Sequence, residues 1–576
     1  MHILYYMEMT EEQKAILEAV ERYNRIKILA LAGTGKTTTL KMIAEKYKDK
    51  RILFLAFNAS VRAECKTKFP RNVDVHTVHS YAYAYYRNMY NVTQVNNVSI
   101  SVNLLEHHLH VFNEAKSSFI KNIVRAIRNK SYLDYDAKRD LYQFIHIIRT
   151  MYEEYLYSNE NSIANFVSTH RALEDAIDIA SNSFGSVQPE DISELIEFIF
   201  NAQVINRIPT SHDVYVKWFA NSLPDIYRDA YDIVLLDEAQ DSNMVTEQII
   251  ERLPIRRRTM VGDSHQKIYG FRKAIAVIDL WQADVTLTLT TTFRCPEHVC
   301  EYANRILEWK NSNIFLKSFK DKQKEPIETV AYISRTNSAL IDIMLNLNKA
   351  NQDYKTIRPI EELFSIPRAV DAYFQGHKEP ARKLLPYVFK EDFIDIEHLE
   401  KRANEENNSE LILAIRILKK LKSMGMDIES AFKVCKEKLN INSKRILATA
   451  HSSKGLEWDS VIIHNDFPYL PSALAKAYFQ AKIDIHTDIF DVYYELLKKV
   501  YQEKDSSYTK VLNVVSQAIE EVNLYYVAIT RARSTLKDTS ENANIITKDD
   551  LFQEIQREFT MLQKEVYVSD DDDIPF

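Results

Sequence analysis

Glycine is scarce in this chain: there are 8 in 576 residues, where about 7% is usual. A chain this poor in glycine keeps it where the backbone must turn with positive φ or pass close to a ligand. Five of the eight, Gly33, Gly35, Gly262, Gly270 and Gly455, fall in the short motifs described below. Cysteine is equally sparse. Cys65, Cys295, Cys300 and Cys435 include no CxxC pair, which excludes a disulfide framework and a zinc or iron-sulfur site and points to a reducing compartment. No apolar run approaches the roughly 20 residues needed to span a bilayer, so no membrane partner is expected. The opening MHILYYMEMTEEQ lacks a basic flank and a long apolar core, which excludes a secretory signal. Positive charge is not in excess either. With a formal net charge of −7, any polyanion partner has to be met by a locally basic groove. These absences together describe a soluble cytoplasmic protein.

What is present is enough apolar surface for several cores, 46% of the residues being hydrophobic. Short β-branched runs followed by helical periodicity mark a first block, with strands at 27–31 and 51–57 and a helix from Lys36. This is the pattern of parallel α/β structure. Helical sequence rich in Tyr, Asn and Ile interrupts it over 80–224, and the buried-strand runs 233–236 and 259–261 then resume it. Strands that flank one ligand site are neighbours in a sheet, so the intervening residues must leave the sheet as an insertion. A second α/β block has strands at 328–334, 445–450 and 460–464, and a helix over 520–533 closes it. A helical, charged stretch over 340–443 splits it. The expected layout is a first lobe of residues 1–85 and 220–285 with a helical insertion 86–219, and a second lobe of 286–340 and 444–550 with an insertion 341–443. A tail follows over 551–576, with an acidic, disordered tip at 569–576.

Residues 30–37 read ALAGTGKT, after a predicted strand and before a predicted helix. In such a loop the backbone N–H groups wrap phosphates, Gly33 and Gly35 permit the turn, Lys36 neutralises phosphate oxygens and Thr37 ligates Mg²⁺. Ala30 stands where the common pattern has its first glycine. The run IVLLDEAQD places Asp237, Glu238, Gln240 and Asp241 at the carboxyl end of a buried strand. Asp237 suits the Mg²⁺ ion and Glu238 suits a base that orients water. DE pairs also cap helices, but a phosphate loop requires a partner acid, and this one supplies it. Two other clusters are read as ordinary surface: the triplet Arg256, Arg257 and Arg258 as a solvated edge, and EHHLH at 106–110 as a helix face without companion metal ligands.

Further motifs follow in order: TEEQ at 10–13, FLAFN at 54–58, HTVHS at 76–80, VGDSHQKIYGFRKA at 261–274, TTFRC at 291–295, ATAHSSKGLEWD at 448–459 and EEVNLYYVAITRAR at 520–533. Their number and order resemble the UvrD/Rep group of superfamily 1 DNA helicases, and within it the F-box DNA helicase branch, although no F-box is visible. The resemblance implies two RecA-like parallel-sheet lobes that close on ATP and Mg²⁺ and move 3′ to 5′ on single-stranded DNA to unwind tailed duplexes in replication, repair or recombination. It implies that Gln13 reads adenine, that Phe293 stacks on it, and that Ala32, Gly33, Thr34, Gly35, Lys36, Thr37, Thr38 and Glu457 contact the nucleotide. Thr38 stands where UvrD and Rep often carry arginine. Lys36, Glu238, Gln266, Arg294 and Arg531 become the catalytic set, with Thr37 and Asp237 at the metal. Phe57, Asn58, His79, Tyr269, Phe271, Arg272, Thr449 and His451 face DNA. Positioning and cations dominate phosphoryl transfer, and an arginine finger is worth about 10³ to 10⁵ in rate. Aromatics among polar residues suit base stacking worth about 1 to 3 kcal/mol per base. Core packing is the alternative for Phe57 and Phe271.

The same motifs would serve a DNA-bound ATP switch that displaces or recruits proteins without unwinding. A helicase-nuclease needs a nuclease domain after the last motif, and residues 534–576 are too few for one. The closing SDDDDIPF resembles the C-terminal tip of bacterial single-stranded-DNA-binding proteins, which docks on partner proteins. A solubilising tail and a competitor for the chain's own basic groove are the other readings. A bacterial or phage-infected cell is the expected setting.

Overall fold

The computed structural model describes residues 9–92, 95, 99–270, 277–319, 327–385, 388–390, 392–405 and 408–571. Contacts divide the chain into two units. One holds residues up to Ala30 together with Gly35–Leu289 and Tyr494–Leu512; the other holds Leu31–Thr34, Thr290–Tyr493 and the residues from Asn513 onward.

The first unit is built on six strands: β1 (Arg25–Ala30), β2 (Ile52–Ala56), β3 (Val73–Thr77), β4 (Ile233–Leu236), β5 (Arg257–Gly262) and β6 (Val285–Leu289). They lie in the order β3-β2-β4-β5-β1-β6, and every pair is parallel. Parallel strands covered on both faces read as unbroken apolar runs. ILFLA in β2 and IVLL in β4 are buried at every position. The helices Glu11–Arg22 and Lys36–Lys46 contribute Ile16, Val20, Leu40 and Ile43 to the same core. Side chains of that kind stabilise by about 1.5 to 3 kcal/mol each when fully buried. Between β3 and β4 all the helices and strands of the described residues are helical, from Val78–Tyr90 to His212–Ser222.

The second unit carries β9 (Val330–Ser334), β10 (Lys355–Thr356), β11 (Arg445–Thr449), β12 (Trp458–Ile463) and β13 (Ala532–Asp538), in the all-parallel order β10-β11-β9-β12-β13. A separate parallel pair joins β7 (Thr291–Thr292) to β8 (Lys317–Ser318). Helices between β9 and β11 form their own core around Leu345, Phe364, Tyr373 and Ile415.

Several expectations need correction. β10 lies inside the stretch 340–443 that was expected to be helical, and it joins the sheet. The helix expected over 520–533 is Thr509–Ile529, and Ala532 already starts β13. Its end is set by Thr530, whose hydroxyl donates to the Tyr526 and Val527 carbonyls at 2.9 and 3.1 Å, satisfying last-turn acceptors. β3 and β6 were missed as strands, although VDVHT and VTLTL alternate as strands do. Residues 551–571, expected in a tail, belong to the helix Lys548–Asp571, whose Leu551 and Ile555 are buried one turn apart. The acidic tip falls mostly on residues 572–576, outside the described residues. The triplet at 256–258 is a solvated edge only in part: Arg256 is exposed, whereas Arg258 donates to the carbonyls of Ile250, Glu251 and Leu253 at 2.9, 3.2 and 3.0 Å. Residues 494–512 group with the first unit, where Lys504 pairs with Glu160 at 3.0 Å and the Ser506 hydroxyl donates to the Thr169 carbonyl at 2.8 Å. No helix of the described residues is long and apolar enough to cross a membrane.

One buried acid yields a stability test. On the helix Met244–Arg252, burial and then the neighbouring charge of Glu251 raise the Glu247 carboxyl to about 7, and its Oε2 is buried without a hydrogen-bond partner. A carboxyl whose pKa is higher folded than unfolded loses stability as pH rises from about 4.3 through that folded value, because the native state resists ionisation. Glu247→Gln is therefore expected to be more stable than the parent at pH 8 by about 1 to 3 kcal/mol. The two should converge near pH 4, as read by urea unfolding at both values.

Candidate active site

β1 ends at Ala30, and a short loop leads to the helix Lys36–Lys46. The loop turns through two left-handed residues, Gly33 at φ +71° and Gly35 at φ +80°, and Gly35 is the N-cap. An L side chain is strained at either. The Thr34 hydroxyl donates to the Leu31 carbonyl at 2.8 Å, and Ala32 and Thr34 are buried, while Thr38 is exposed on the first turn of the helix. Helix N-termini leave N–H groups unpaired and carry partial positive charge, so this turn suits an anion.

At the end of β4, separated from β1 by β5 in the same parallel sheet, the carboxylates come to meet it. The Thr37 hydroxyl donates to Asp237 Oδ2 at 2.9 Å, and Lys36 Nζ lies 3.5 Å from Glu238 Oε2. Asp237 is buried, and burial followed by the charge of Glu238 pushes its carboxyl up, against the pull of Lys36 and Thr37. Glu238 itself sits at φ +52°, ψ +44°, a left-handed conformation that a glutamate rarely adopts and that costs about 1 to 3 kcal/mol. Such strain persists where the surroundings hold it.

β5 brings the third edge. Asp263, just past Gly262, accepts from Gln266 Nε2 at 2.6 Å and from the His265 N–H at 3.0 Å. Three residues beyond Gln266, the Tyr269 ring stacks on Phe57 at the end of β2, with centroids 5.4 Å apart and planes 23° apart. Phe271 and Arg272 lie outside the described residues.

Other expected residues have local duties. Gln13 is the N3 residue of a capping box with Thr10, and its Nε2 donates to Thr39 Oγ1 at 3.4 Å, tying the first helix to the one that follows the loop. Asn58 caps the helix Ala59–Lys68 by accepting from the Val61 N–H at 2.9 Å. His79, half exposed, stands 3.8 Å from Asp213, which also accepts from the Tyr157 hydroxyl at 2.8 Å.

In the second unit Arg294 donates through Nε to Glu457 at 2.7 Å and through Nη1 to the Thr530 carbonyl at 3.2 Å. Arg533 reaches the same Glu457 at 3.7 Å and Asp459 at 2.6 Å. These cations hold the Glu457 carboxyl below its ordinary value against burial. Arg531 is 1% exposed, with Nε donating to the Val527 carbonyl at 2.9 Å and Nη1 to Leu456 at 3.3 Å. Thr449 caps the short helix Ala450–Ser453, beside half-buried His451. The Phe293 N–H donates to the Gly33 carbonyl at 2.9 Å, and a Cβ built on Gly33 would meet Arg294 Cβ at 2.6 Å and Thr292 Oγ1 at 2.7 Å.

The structure thus gathers Lys36, Thr37, Asp237 and Glu238 in one unit, and Arg294, Glu457 and Arg531 in the other. Thr39, Asp213, Gln240, Asp263 and Arg533 also hold these side chains, and the sequence assigned none of them a role. Gln240 and Arg533 were visible as motif letters, and Asp263 as the first acid after a strand; for Asp213 no signal existed, because it lies on the helix His212–Ser222, far in sequence from His79.

Comparison with known proteins agrees with the motif order. The chain matches the UvrD/REP helicase N-terminal domain over residues 9–284 and the UvrD-like helicase C-terminal domain over residues 192–540. It is similar to F-box DNA helicase protein 1 of Schizosaccharomyces pombe, 26% identical across 92% of this chain and 57% of the relative. Similarity to F-box DNA helicase 1 of Gallus gallus is 24% across 92% of this chain and 49% of the relative. A probable DNA helicase II homolog of Mycoplasma pneumoniae is 24% identical across 52% of this chain and 42% of its own length. The chain therefore spans about half the length of the first two relatives. With two parallel α/β sheets, a phosphate-type loop set against a strand-end acid pair, and a C-terminal domain match that covers most of its length, the chain belongs to the UvrD-like helicase family.

Proposed function

We propose that this protein is an ATP-dependent DNA helicase that translocates 3′ to 5′ on single-stranded DNA. The observation that carries the proposal is the meeting of Lys36 and Thr37 with Glu238 and Asp237, at 3.5 and 2.9 Å, where β1 and β4 end. Lys36 and the loop N–H groups bind the phosphates. Glu238, held beside Lys36, orients the attacking water and accepts its proton. Arg294 and Arg531 deliver cationic charge to the transferred phosphoryl group, and Gln266 contacts it. Gln13, Phe293 and Glu457 contact the rest of the nucleotide.

Asp237 and Thr37 offer adjacent hard oxygen donors, one a buried carboxylate, which is the donor set Mg²⁺ takes alongside water and phosphate oxygens. Bound there, Mg²⁺ neutralises phosphate charge. The Phe57–Tyr269 stack supplies aromatic faces for sequence-tolerant base stacking, each worth about 1 to 3 kcal/mol. Asn58, His79, Thr449 and His451 contact the strand around it. We read residues 1–85 and 220–285 as the first RecA-like lobe with the insertion 86–219, and 286–340 and 444–550 as the second with the insertion 341–443.

Strand displacement on duplexes bearing a 3′ or a 5′ single-stranded tail tests the proposal. ATP-dependent displacement on the 3′-tailed substrate alone is expected. Displacement on the 5′-tailed substrate alone would overturn the polarity, and DNA-stimulated hydrolysis without displacement of either would leave a DNA-bound ATP switch.

A further inference from the structure

A buried polar group at the site has no role so far: the side-chain amide of Gln240, which is 0% exposed and sits between the ends of β4 and β5. Its Nε2 donates to Glu238 Oε2 at 2.5 Å and to Asp241 Oδ2 at 3.3 Å, and its Oε1 accepts from the Asp263 N–H at 2.9 Å. Both ends of the amide are therefore committed, each to a different strand end. Asp263 in turn holds Gln266 at 2.6 Å, and the segment continues to Tyr269, stacked on Phe57. Gly262 makes room for the arrangement: a Cβ there would stand 2.5 Å from Gln240 Oε1 and 3.1 Å from its backbone nitrogen. Glycine is rationed in this chain, yet one is kept where the amide passes.

We infer that Gln240 is a positioning residue that holds the carboxylate of Glu238 and the segment from Asp263 to Tyr269 in one register, so that movement of the stacked aromatics is felt at the group that orients water. It acts through Glu238 and Asp263. Glu238 occupies a left-handed backbone conformation, so its carboxylate needs an external partner to stay in place, and Gln240 is such a partner, fully shielded from solvent. Substitutions in such supporting groups cost about 10- to 100-fold in activity where the supported group is catalytic.

The inference rests on the ATPase reading above, and its test separates the two. Gln240→Met keeps the volume and removes all three side-chain hydrogen bonds. Gly262→Ala leaves Gln240 in place and pushes its amide oxygen away. Both variants and the double variant are assayed for ATP hydrolysis with and without single-stranded oligonucleotide, with thermal melts to show that each is folded. Each single variant is expected to lower the DNA-stimulated kcat about 10- to 100-fold with the KM for ATP within a factor of about 3, and to lower the ratio of stimulated to basal rate. Because both disturb one contact, the double variant should lose no more than the worse single one. An unchanged stimulation ratio in Gln240→Met, or losses that multiply in the double variant, would overturn the inference. An unmutated protein without DNA-stimulated hydrolysis would overturn the ATPase reading instead.

Discussion

Lys36→Ala is expected to leave a folded protein whose ATP hydrolysis, with or without DNA, falls at least about 10²- to 10³-fold, the cost of removing one preorganised charge-stabilising group from a reaction governed by positioning and electrostatics. The fold should survive. The Lys36–Glu238 contact is 3.5 Å long, with the two side chains 11% and 25% exposed, and Glu238 keeps its bond from Gln240 when the lysine is gone. Partly hydrated pairs of that kind contribute about 0 to 1 kcal/mol. Phosphate release measured beside a thermal melt checks both halves. Near-normal turnover would remove Lys36 from the phosphate site, and a large drop in melting temperature would make it a structural lysine.

Arg294→Ala and Arg531→Ala are expected to part company in stability while sharing a loss of rate of about 10³-fold or more. Arg294 is anchored through Glu457, and Glu457 retains Arg533 when Arg294 is removed, so the Arg294 variant should melt close to the parent. Arg531 is different. Its guanidinium is buried against the Val527 and Leu456 carbonyls and the Thr530 hydroxyl, at 2.9, 3.3 and 3.2 Å. Truncation removes these bonds and leaves a cavity, at about 1 to 3 kcal/mol for each buried acceptor left unsatisfied, although the Val527 carbonyl keeps the Thr530 hydroxyl. Calorimetry and steady-state kinetics on the pair separate the roles. Equal melting temperatures would mean that Arg531 is not the buried anchor its contacts describe, and an undiminished kcat in Arg294→Ala would exclude that residue from the reaction.

The strands that frame the phosphate loop were legible because their burial is two-sided. IVLL over Ile233–Leu236 is apolar throughout and coincides with β4, and ILFLA, inside the run read at 51–57, coincides with β2. β3 and β6 were hidden because Thr, Asp and His interrupt them, and their half-exposed faces read as loop or motif. The loop glycines were legible for a backbone reason, since both need positive φ. What the letters alone could not supply is contact across sequence. Gln240 reaches Asp263 and Glu238 through side-chain geometry that no spacing rule encodes. Gln13 was read as a nucleotide contact from its motif alone; TEEQ is also a capping box, a second duty of the same residue that the structure shows formed. Arg533, the final residue of the last motif and read as part of a helix over 520–533, lies instead on β13, because Thr530 closes the helix and the following alternation favours a strand.

Steady-state ATP hydrolysis by the unmutated chain, with single-stranded DNA titrated from zero to saturation, decides whether the strand-end site and the aromatic stack belong to one machine. A saturable rise of at least about 10-fold in kcat is expected, the low end of what completing a charge-stabilising constellation supplies. Hydrolysis indifferent to DNA, or none at saturating ATP and Mg²⁺, would contradict it.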